Sequence, residues 1–455
     1  MAEITIPWPD EPLKAALPPE WSVQQVAEAH IPSAGDRWSE DLAAALTRPE
    51  GTLPLGKLLA ARRGGKIVLV VEDLTRHSPL PAILEVVFRE LAHAQIPDED
   101  VEIVFATGMH PPLTAAEAAG KIGEDLARRV AWRSNPWRDR DAYVHLGVAD
   151  LGGGRGIDVW VDRGVAAADL RIVVTSVSPH LQAGFGGGYK MLFPGCANQE
   201  TIRQLHLSSV PRRATQQVGQ AASANRMRRM IEAAGRAVDA AGGATFAIQY
   251  VQDTDDRPSA IAVGDIFACQ RMLAKKCAAA YGVVVGAPAD VVIASAWPRD
   301  LDLWQSFKAI ANTCWAAREN GVLICVTRCP AGANMPTFRL PVSPRWVRRA
   351  VRLLGPGALA ALLTRLVPHL AADASFFIRI ALQVLHRNTV LMVAPTLAAR
   401  GEGMLGLEVL ADLDQAIAVA AQRVGAGPKR VIVFPAGGVS YPIFRPAAAP
   451  GGAPG

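Results

Sequence analysis

Ile67-Val-Leu-Val-Val71 is an aliphatic run bounded by Lys66 and Glu72. A run that short and that uniformly apolar fits a strand covered on both faces. A helical pattern follows over Leu80–Ala94, and a second such strand over Val101–Ala106. Thr114-Ala-Ala-Glu117 is a capping box that opens a short helix. Strand signals return at Asp158–Val161 and Leu170–Ser176, with helices at Gln199–Ser208 and Arg226–Ala241. Buried strands alternating with helices predict an α/β fold with largely parallel sheets.

The chain has 455 residues, too many for one typical core, so two domains are expected. The pattern puts the first, carrying the catalytic and cofactor-binding residues, at 1–265 and the second at 266–425. A final strand and return segment occupy 426–445, and the Ala/Pro/Gly-rich tail 446–455 reads as disordered. The second unit is expected to run as helix Ile266–Ala280, strand Asp290–Ala296, helix Leu303–Arg318 and strand Gly321–Val326. Helices over Trp346–His386, strand Thr389–Val393, helix Leu407–Ala421 and strand Arg430–Phe434 complete it.

Apolar residues make up 50% of the chain and charged residues 20%, as in globular proteins of soluble type. No signal peptide and no run of about 18 uncharged apolar residues is read, so a cytoplasmic protein without membrane spans is expected. The six cysteines show no Cys-x-x-Cys pair and read as reduced, buried thiols. A net charge of +5, with basic clusters at Arg226–Arg229 and Arg345–Arg349, reads as solvated helix faces rather than a nucleic-acid stripe.

In parallel sheets, ligands bind beyond the carboxyl ends of the strands. Strand 66–72 ends in Asp73-Leu-Thr-Arg76, strand 101–106 in Thr107-Gly-Met-His110, and strand 170–176 in Ser178-Pro-His180. Strand 290–296 ends in Trp297-Pro-Arg-Asp300, before a helix carrying Gln305 and Lys308 on one face. Singly, Asp73 reads equally as an N-cap with Arg76 as its surface partner, and His110 as a turn residue. Together the four ends suggest an active site in an interdomain cleft.

From His180 the chain runs through Gly184-Phe-Gly-Gly-Gly-Tyr-Lys190 to His206. Glycines permit close backbone approach, lysine forms covalent bonds or holds anions, and imidazole moves protons or binds metal. This is not a P-loop, because Tyr189 precedes Lys190 and Met191 follows it. Nor is it a dinucleotide fingerprint, since Tyr189 stands where the third glycine is needed.

These motifs resemble the nickel-dependent lactate racemases and the wider 2-hydroxyacid racemases and epimerases. The resemblance runs from about residue 10 to about 440. It rests on Asp73-Leu-Thr-Arg76, Ala106-Thr-Gly-Met-His110, the His180-x9-Lys190-x15-His206 spacing, Leu192-Phe-Pro-Gly195, and Pro298-Arg-Asp300 with Gln305-Ser-Phe-Lys308. The resemblance implies inversion of the carbinol carbon of a 2-hydroxy acid through hydride transfer and a flat 2-keto acid. It implies a nickel-pincer nucleotide held covalently by Lys190 with nickel on His206, and His110 and His180 as paired acid/bases. Asp73 and Arg76 would lie near the first histidine and the substrate. Gln305 and Lys308 would meet the substrate's carboxylate and hydroxyl. Turn chemistry adds Thr75 and the amides of Gly186, Gly187 and Gly188 as holders of the cofactor phosphate. Expected partners are the 2-hydroxy acid and cofactor-biosynthesis proteins, with neither nucleic acid nor membrane.

A nicotinamide-dependent hydroxyacid dehydrogenase and a non-catalytic cofactor or nucleotide carrier are the alternatives. Arg328–Asn388, with Cys329-Pro-Ala-Gly332, departs most from the family pattern.

Overall fold

The computed structural model describes residues 2–8, 11–152, 156–211, 213–334, 343–366, 375–404 and 406–444. They form two compact units. One holds 31–210 and 217–280; the other holds 1–30, 211–216 and 281–455.

The first unit is built on a six-stranded sheet. Its order is Pro258–Gly264, Ala244–Gln252, Leu170–Ser176, Ile67–Val71, Val101–Phe105, Ala131–Ser134. Only Pro258–Gly264 is antiparallel to its neighbour. The two-residue period of a strand explains the unbroken aliphatic run. Ile67, Leu69 and Val71 face one core with Leu80, Ile83, Leu84 and Val87 of helix Leu80–His93. Val68 and Val70 face another with Met227, Met230, Ile231 and Ala234 of helix Arg226–Ala241. Each such fully buried aliphatic side chain contributes roughly 1.5–3 kcal/mol.

The second unit carries its own six-stranded parallel sheet, ordered Glu408–Leu410, Thr389–Val393, Ala317–Val326, Ala289–Ser295, Lys429–Phe434, Trp21–Val26. Both sheets are thus largely parallel, as the strand patterns predict.

Several expected boundaries are corrected. Residues 1–30 group with the carboxyl-terminal unit, because Trp21–Val26 pairs in parallel with Lys429–Phe434. Helix Ile266–Tyr281 belongs almost wholly to the first unit instead of opening the second. Gln249 Nε2 donates to the Ile266 carbonyl at 3.1 Å, and the Phe267 ring packs 5.0 Å from that of Tyr189. The helix expected over Leu303–Arg318 ends at Thr313, and the chain is extended from Ala317. The helix expected over Leu407–Ala421 is an edge strand, Glu408–Leu410, followed by helix Leu413–Val424. Asp412 caps that helix by accepting from the Gln415 amide at 2.7 Å. Within 426–445 lie the strands Lys429–Phe434 and Tyr441–Phe444, the latter paired with Gly282–Val285. The tail 446–455 lies outside the described residues.

All six cysteines are buried and free of disulfides. Among the described residues no helix is long and apolar enough to cross a membrane.

At the amino end of strand Leu170–Ser176, Arg171 has no exposed surface. Its guanidinium donates to the carbonyls of Val165, Ala166, Ala168 and Gly242, and to Thr245 Oγ1. Arg171→Met strands those carbonyls without donors. The expected loss is about 3 kcal/mol, read as a lower urea midpoint with unchanged m-value.

Candidate active site

Strands Ile67–Val71, Val101–Phe105 and Leu170–Ser176 are parallel neighbours, so their carboxyl ends share one sheet edge. Asp73, His110 and His180 leave from those three ends.

Asp73 closes a tight turn. Its Oδ1 accepts from the Thr75 amide at 3.0 Å and from the Thr75 hydroxyl at 2.6 Å, a side-chain-to-backbone turn typical of Asp. Its Oδ2 lies 2.5 Å from His110 Nδ1. Lys121 Nζ donates to the Arg76 carbonyl at 2.5 Å and ties the turn to helix Ala115–Ile122. Burial pushes the Asp73 carboxyl upward. The His110 hydrogen bond and charge, the Thr75 hydroxyl and the Arg76 charge outweigh it and hold the group well below the ordinary carboxylate range. An ionised Asp73 puts the His110 proton on Nδ1 and leaves the lone pair on Nε2. Half the His110 side chain is exposed, so Nε2 is within reach of a ligand.

His180 is held the opposite way. Its Nδ1 accepts from the backbone amides of Gln182 at 3.2 Å and Ala183 at 3.0 Å. Backbone N–H groups only donate, so the neutral ring carries its proton on Nε2. Burial and the neighbouring charges of Lys190, Arg76, His206 and Arg228 push its pKa well below the ordinary histidine value.

The glycine loop is shaped by the protein itself. At Gly187, φ is +72°, and a Cβ would sit 2.6 Å from Val177 Cγ2 and 2.8 Å from Gln249 Oε1. A side chain there is excluded by both backbone conformation and space. Beneath the loop lies Arg228, buried to 1% exposure. It donates to the Gly187 carbonyl at 3.0 Å, the Gly186 carbonyl at 3.1 Å and the Phe185 carbonyl. Reading Arg226–Arg229 as a solvated face is therefore wrong at Arg228. Its Nη1 and Nη2 are met by three carbonyls that a glycine loop can turn to one side, while Nε has no partner among the described residues.

That packing already engages most donors of the expected phosphate cradle. The Gly186 amide donates to the Ser178 carbonyl at 2.7 Å and the Gly188 amide to Gln249 Oε1 at 2.8 Å. Thr75 directs both its amide and its hydroxyl hydrogens to Asp73. A phosphate held there would have to share these donors with the protein's own acceptors, and Gly187 is buried between them.

Lys190 leaves the loop into a recess. Its amine has no hydrogen-bond partner among the described residues. Burial, then the charges of Arg76 and Arg228, bring its pKa to about 7, with Asp73 opposing. An amine that loses its proton near neutrality is a competent nucleophile for a covalent bond. His206, on helix Gln199–Ser209, gives its Nδ1 proton to the Ile202 carbonyl at 2.8 Å, so Nε2 carries the lone pair. Burial, then the charges of Lys190 and His110, outweigh that bond and bring its pKa to about 4, so the ring is neutral. A neutral imidazole with a fixed tautomer suits a borderline metal. No group of three or more His, Cys, Asp or Glu among the described residues could hold a metal.

Gln305 and Lys308 lie in the other unit, on helix Leu303–Thr313. Lys308 Nζ donates to Gln305 Oε1 at 2.5 Å, which leaves the Gln305 amide hydrogens as donors.

Sequence reasoning missed Arg228, Gln249 and Asn135. The last is buried and spans two segments, donating to the Gly108 and Ala197 carbonyls and accepting from Tyr143 Oη at 2.8 Å. A lone arginine within a helical basic cluster has no sequence signal for burial. Asn135 stood in Asn135-Pro-Trp137, directly after strand Ala131–Ser134, a position that could have flagged it.

Residues 9–217 match a family model described as the lactate racemase N-terminal domain. The chain is similar to a lactate racemase of Thermoanaerobacterium thermosaccharolyticum, 28% identical over 344 residues, or 73% of this chain and 76% of that one. It is also similar to a lactate racemase of Lactiplantibacillus plantarum, 28% identical over 292 residues, or 63% of this chain and 65% of that one. Among solved structures, the lactate racemase apoprotein from T. thermosaccharolyticum superposes with a TM-score of 0.77 at 24% identity. That match covers 98% of this chain and 100% of the other. A Thermotoga maritima protein superposes at 0.62 with 16% identity, covering 90% and 98%. At these identities the two structures speak to the fold alone.

In protein made without a cofactor source, trace acylation followed by peptide mass spectrometry reads the protonation of Lys190. The expected midpoint is about 7, with the neutral amine dominant above it. Surface lysines in the same digest should titrate near ~10.4. A Lys190 midpoint in that ordinary range would contradict the desolvated recess.

Proposed function

The chain belongs to the lactate racemase family, and we propose that it inverts the carbinol carbon of a 2-hydroxy acid, lactate or a close relative. The observation that carries this reading is a pair of imidazoles of opposite polarity on one sheet edge. His110 has its Nε2 lone pair set by Asp73, and His180 has its Nε2 proton set by two backbone amides.

Inversion through a flat 2-keto acid requires the hydroxyl proton to leave and return on different sides of the carbinol. His110 Nε2 accepts that proton in one direction, and the resulting imidazolium is stabilised by Asp73. His180 Nε2–H holds the same oxygen from its own side. In the reverse direction His180 becomes the acceptor, which requires its ring to turn or its proton to move to Nδ1. Imidazoles suit this alternation, and such acid–base help contributes roughly 10²–10⁴ in rate. Arg76, a part-buried guanidinium beside Thr75, binds the carboxylate and keeps the planar intermediate in place. Gln305 and Lys308 are proposed, from the resemblance, as further substrate contacts that offer an amide donor and a cation.

The lysine amine and the His206 lone pair suit the nickel-pincer nucleotide that the family resemblance implies. When bound, that group supplies an electron-poor acceptor for the carbinol hydrogen and its electron pair. Lys190 would form the covalent link and His206 the bond to nickel. A carrier would have no use for the Asp73–His110 pair, and the loop lacks the third glycine of a dinucleotide site.

Co-expression with cofactor-biosynthesis enzymes tests the proposal. Nickel bound to the chain, a mass adduct on the Lys190 peptide, and inversion of one member of a chiral 2-hydroxy acid panel are expected. His110→Ala and His180→Ala should each lower inversion by at least ~10²-fold while nickel and adduct persist. Asp73→Asn should cost about 10–100-fold, because the His110 tautomer is then no longer fixed. Wild-type protein without nickel or adduct, or full activity in His180→Ala, would refute the reading.

A further inference from the structure

Helix Pro344–Leu354 of the carboxyl-terminal unit lies in the segment that departs most from the family pattern. Arg345, Arg348, Arg349 and Arg352 recur on it at i, i+3, i+4 and i+7, which puts four guanidiniums on one stripe. The stripe does not face open water alone. It lines a cavity of about 330 Å³, whose lining also takes Arg423 from helix Leu413–Val424 and Glu408 from the edge strand.

Five arginines therefore converge on one cavity against a single carboxylate. Glu408 is already paired with Arg423 Nη2 at 2.9 Å. Arg348 donates through Nε to the Leu385 carbonyl at 3.3 Å, but its Nη2 is buried with no partner, as is Arg423 Nε. Burial, with Arg352 and Arg423 nearby, brings the Arg348 pKa down to about 10, the behaviour of a cation crowded by like charge. A buried donor without an acceptor costs about 1–3 kcal/mol. Such a cluster is unfavourable unless an anion completes it.

We propose that this cavity is a binding site for a small multivalent oxyanion, a phosphate ester or polyphosphate. Planar guanidiniums converging from two helices give the forked, bidentate geometry that oxyanions accept. The cavity volume lies at the small-ligand end of the usual range, roughly 300–1,000 Å³. The same helix exposes Trp346, Leu353 and Leu354, as a helix lying on an anionic membrane would. A lipid surface, however, leaves the buried nitrogens of Arg348 and Arg423 unsatisfied, whereas an ion that enters the cavity satisfies them.

The test titrates the full chain with pyrophosphate at low ionic strength, by calorimetry and thermal unfolding, beside vesicles rich in phosphatidylserine. One saturable site per chain and a raised Tm are expected, with no vesicle binding. Arg348→Gln and Arg352→Gln should each weaken binding at least about tenfold. Arg352 is exposed and makes no hydrogen bond or ion pair among the described residues, so Arg352→Gln should keep the unliganded Tm. Arg348→Gln relieves the crowding and should unfold no earlier than wild type without pyrophosphate. Absence of saturable binding at millimolar pyrophosphate, unchanged affinity in both variants, or vesicle binding in its place would overturn the proposal.

Discussion

A guanidinium almost without solvent around it, Arg228, holds three consecutive carbonyls, and the candidate active site depends on that contact. Removing an arginine from water is costly unless its donors are met. Here the carbonyls of Phe185, Gly186 and Gly187 meet Nη1 and Nη2, although Nε stays buried without a partner among the described residues, and Gln249 fixes the loop from its amide side. The glycines are needed so that successive carbonyls can turn toward one cation while the chain squeezes past Val177 and Gln249. They serve the protein's own packing. Lys190 leaves this rigid platform in a fixed direction, and the buried charge beneath it helps to discharge its amine.

The two imidazoles show how hydrogen bonds outside a reaction centre decide what it can do. His110 and His180 are the same residue type on neighbouring strand ends, yet a carboxylate fixes one and two backbone amides fix the other. The first becomes an acceptor at Nε2, the second a donor. A reaction that must run equally well in both directions thus starts from an unsymmetrical site. For two enantiomers the equilibrium constant is one, so the two values of kcat/KM are equal. The asymmetry therefore falls on kcat and KM separately.

Much of this was legible in the sequence, for identifiable reasons. Strand Ile67–Val71 could be read because a run covered on both faces has no polar positions. The Thr114–Glu117 cap could be read because its chemistry is local. Asp73, His110 and His180 could be gathered on one edge because parallel strands share an end. Other features depend on distant partners. Glu408–Leu410 is a strand only because Thr389–Val393 lies beside it, and residues 1–30 join the far end of the chain only through the pairing of Trp21–Val26. The partners of the expected phosphate cradle were hidden for the same reason. Turn chemistry identifies Thr75 and the glycine amides as donors, but the acceptors of Thr75, Gly186 and Gly188, namely Asp73, Ser178 and Gln249, are chosen by tertiary packing.

Electrostatics links the lysine to the substrate that the proposal assigns. Burial first, and then Arg76 and Arg228, lower the Lys190 and His180 pKa values, and Asp73, engaged with His110 and Thr75, offsets them in part for Lys190. The arginine part of that effect, unlike the burial, is a potential that attracts a carboxylate. Binding of a 2-hydroxy acid would then relax that potential and make His180 easier to protonate when the hydroxyl proton has to move. The positive charge that adds to burial in keeping the Lys190 amine neutral is the charge that the substrate would balance, so cofactor attachment and substrate binding would draw on one field.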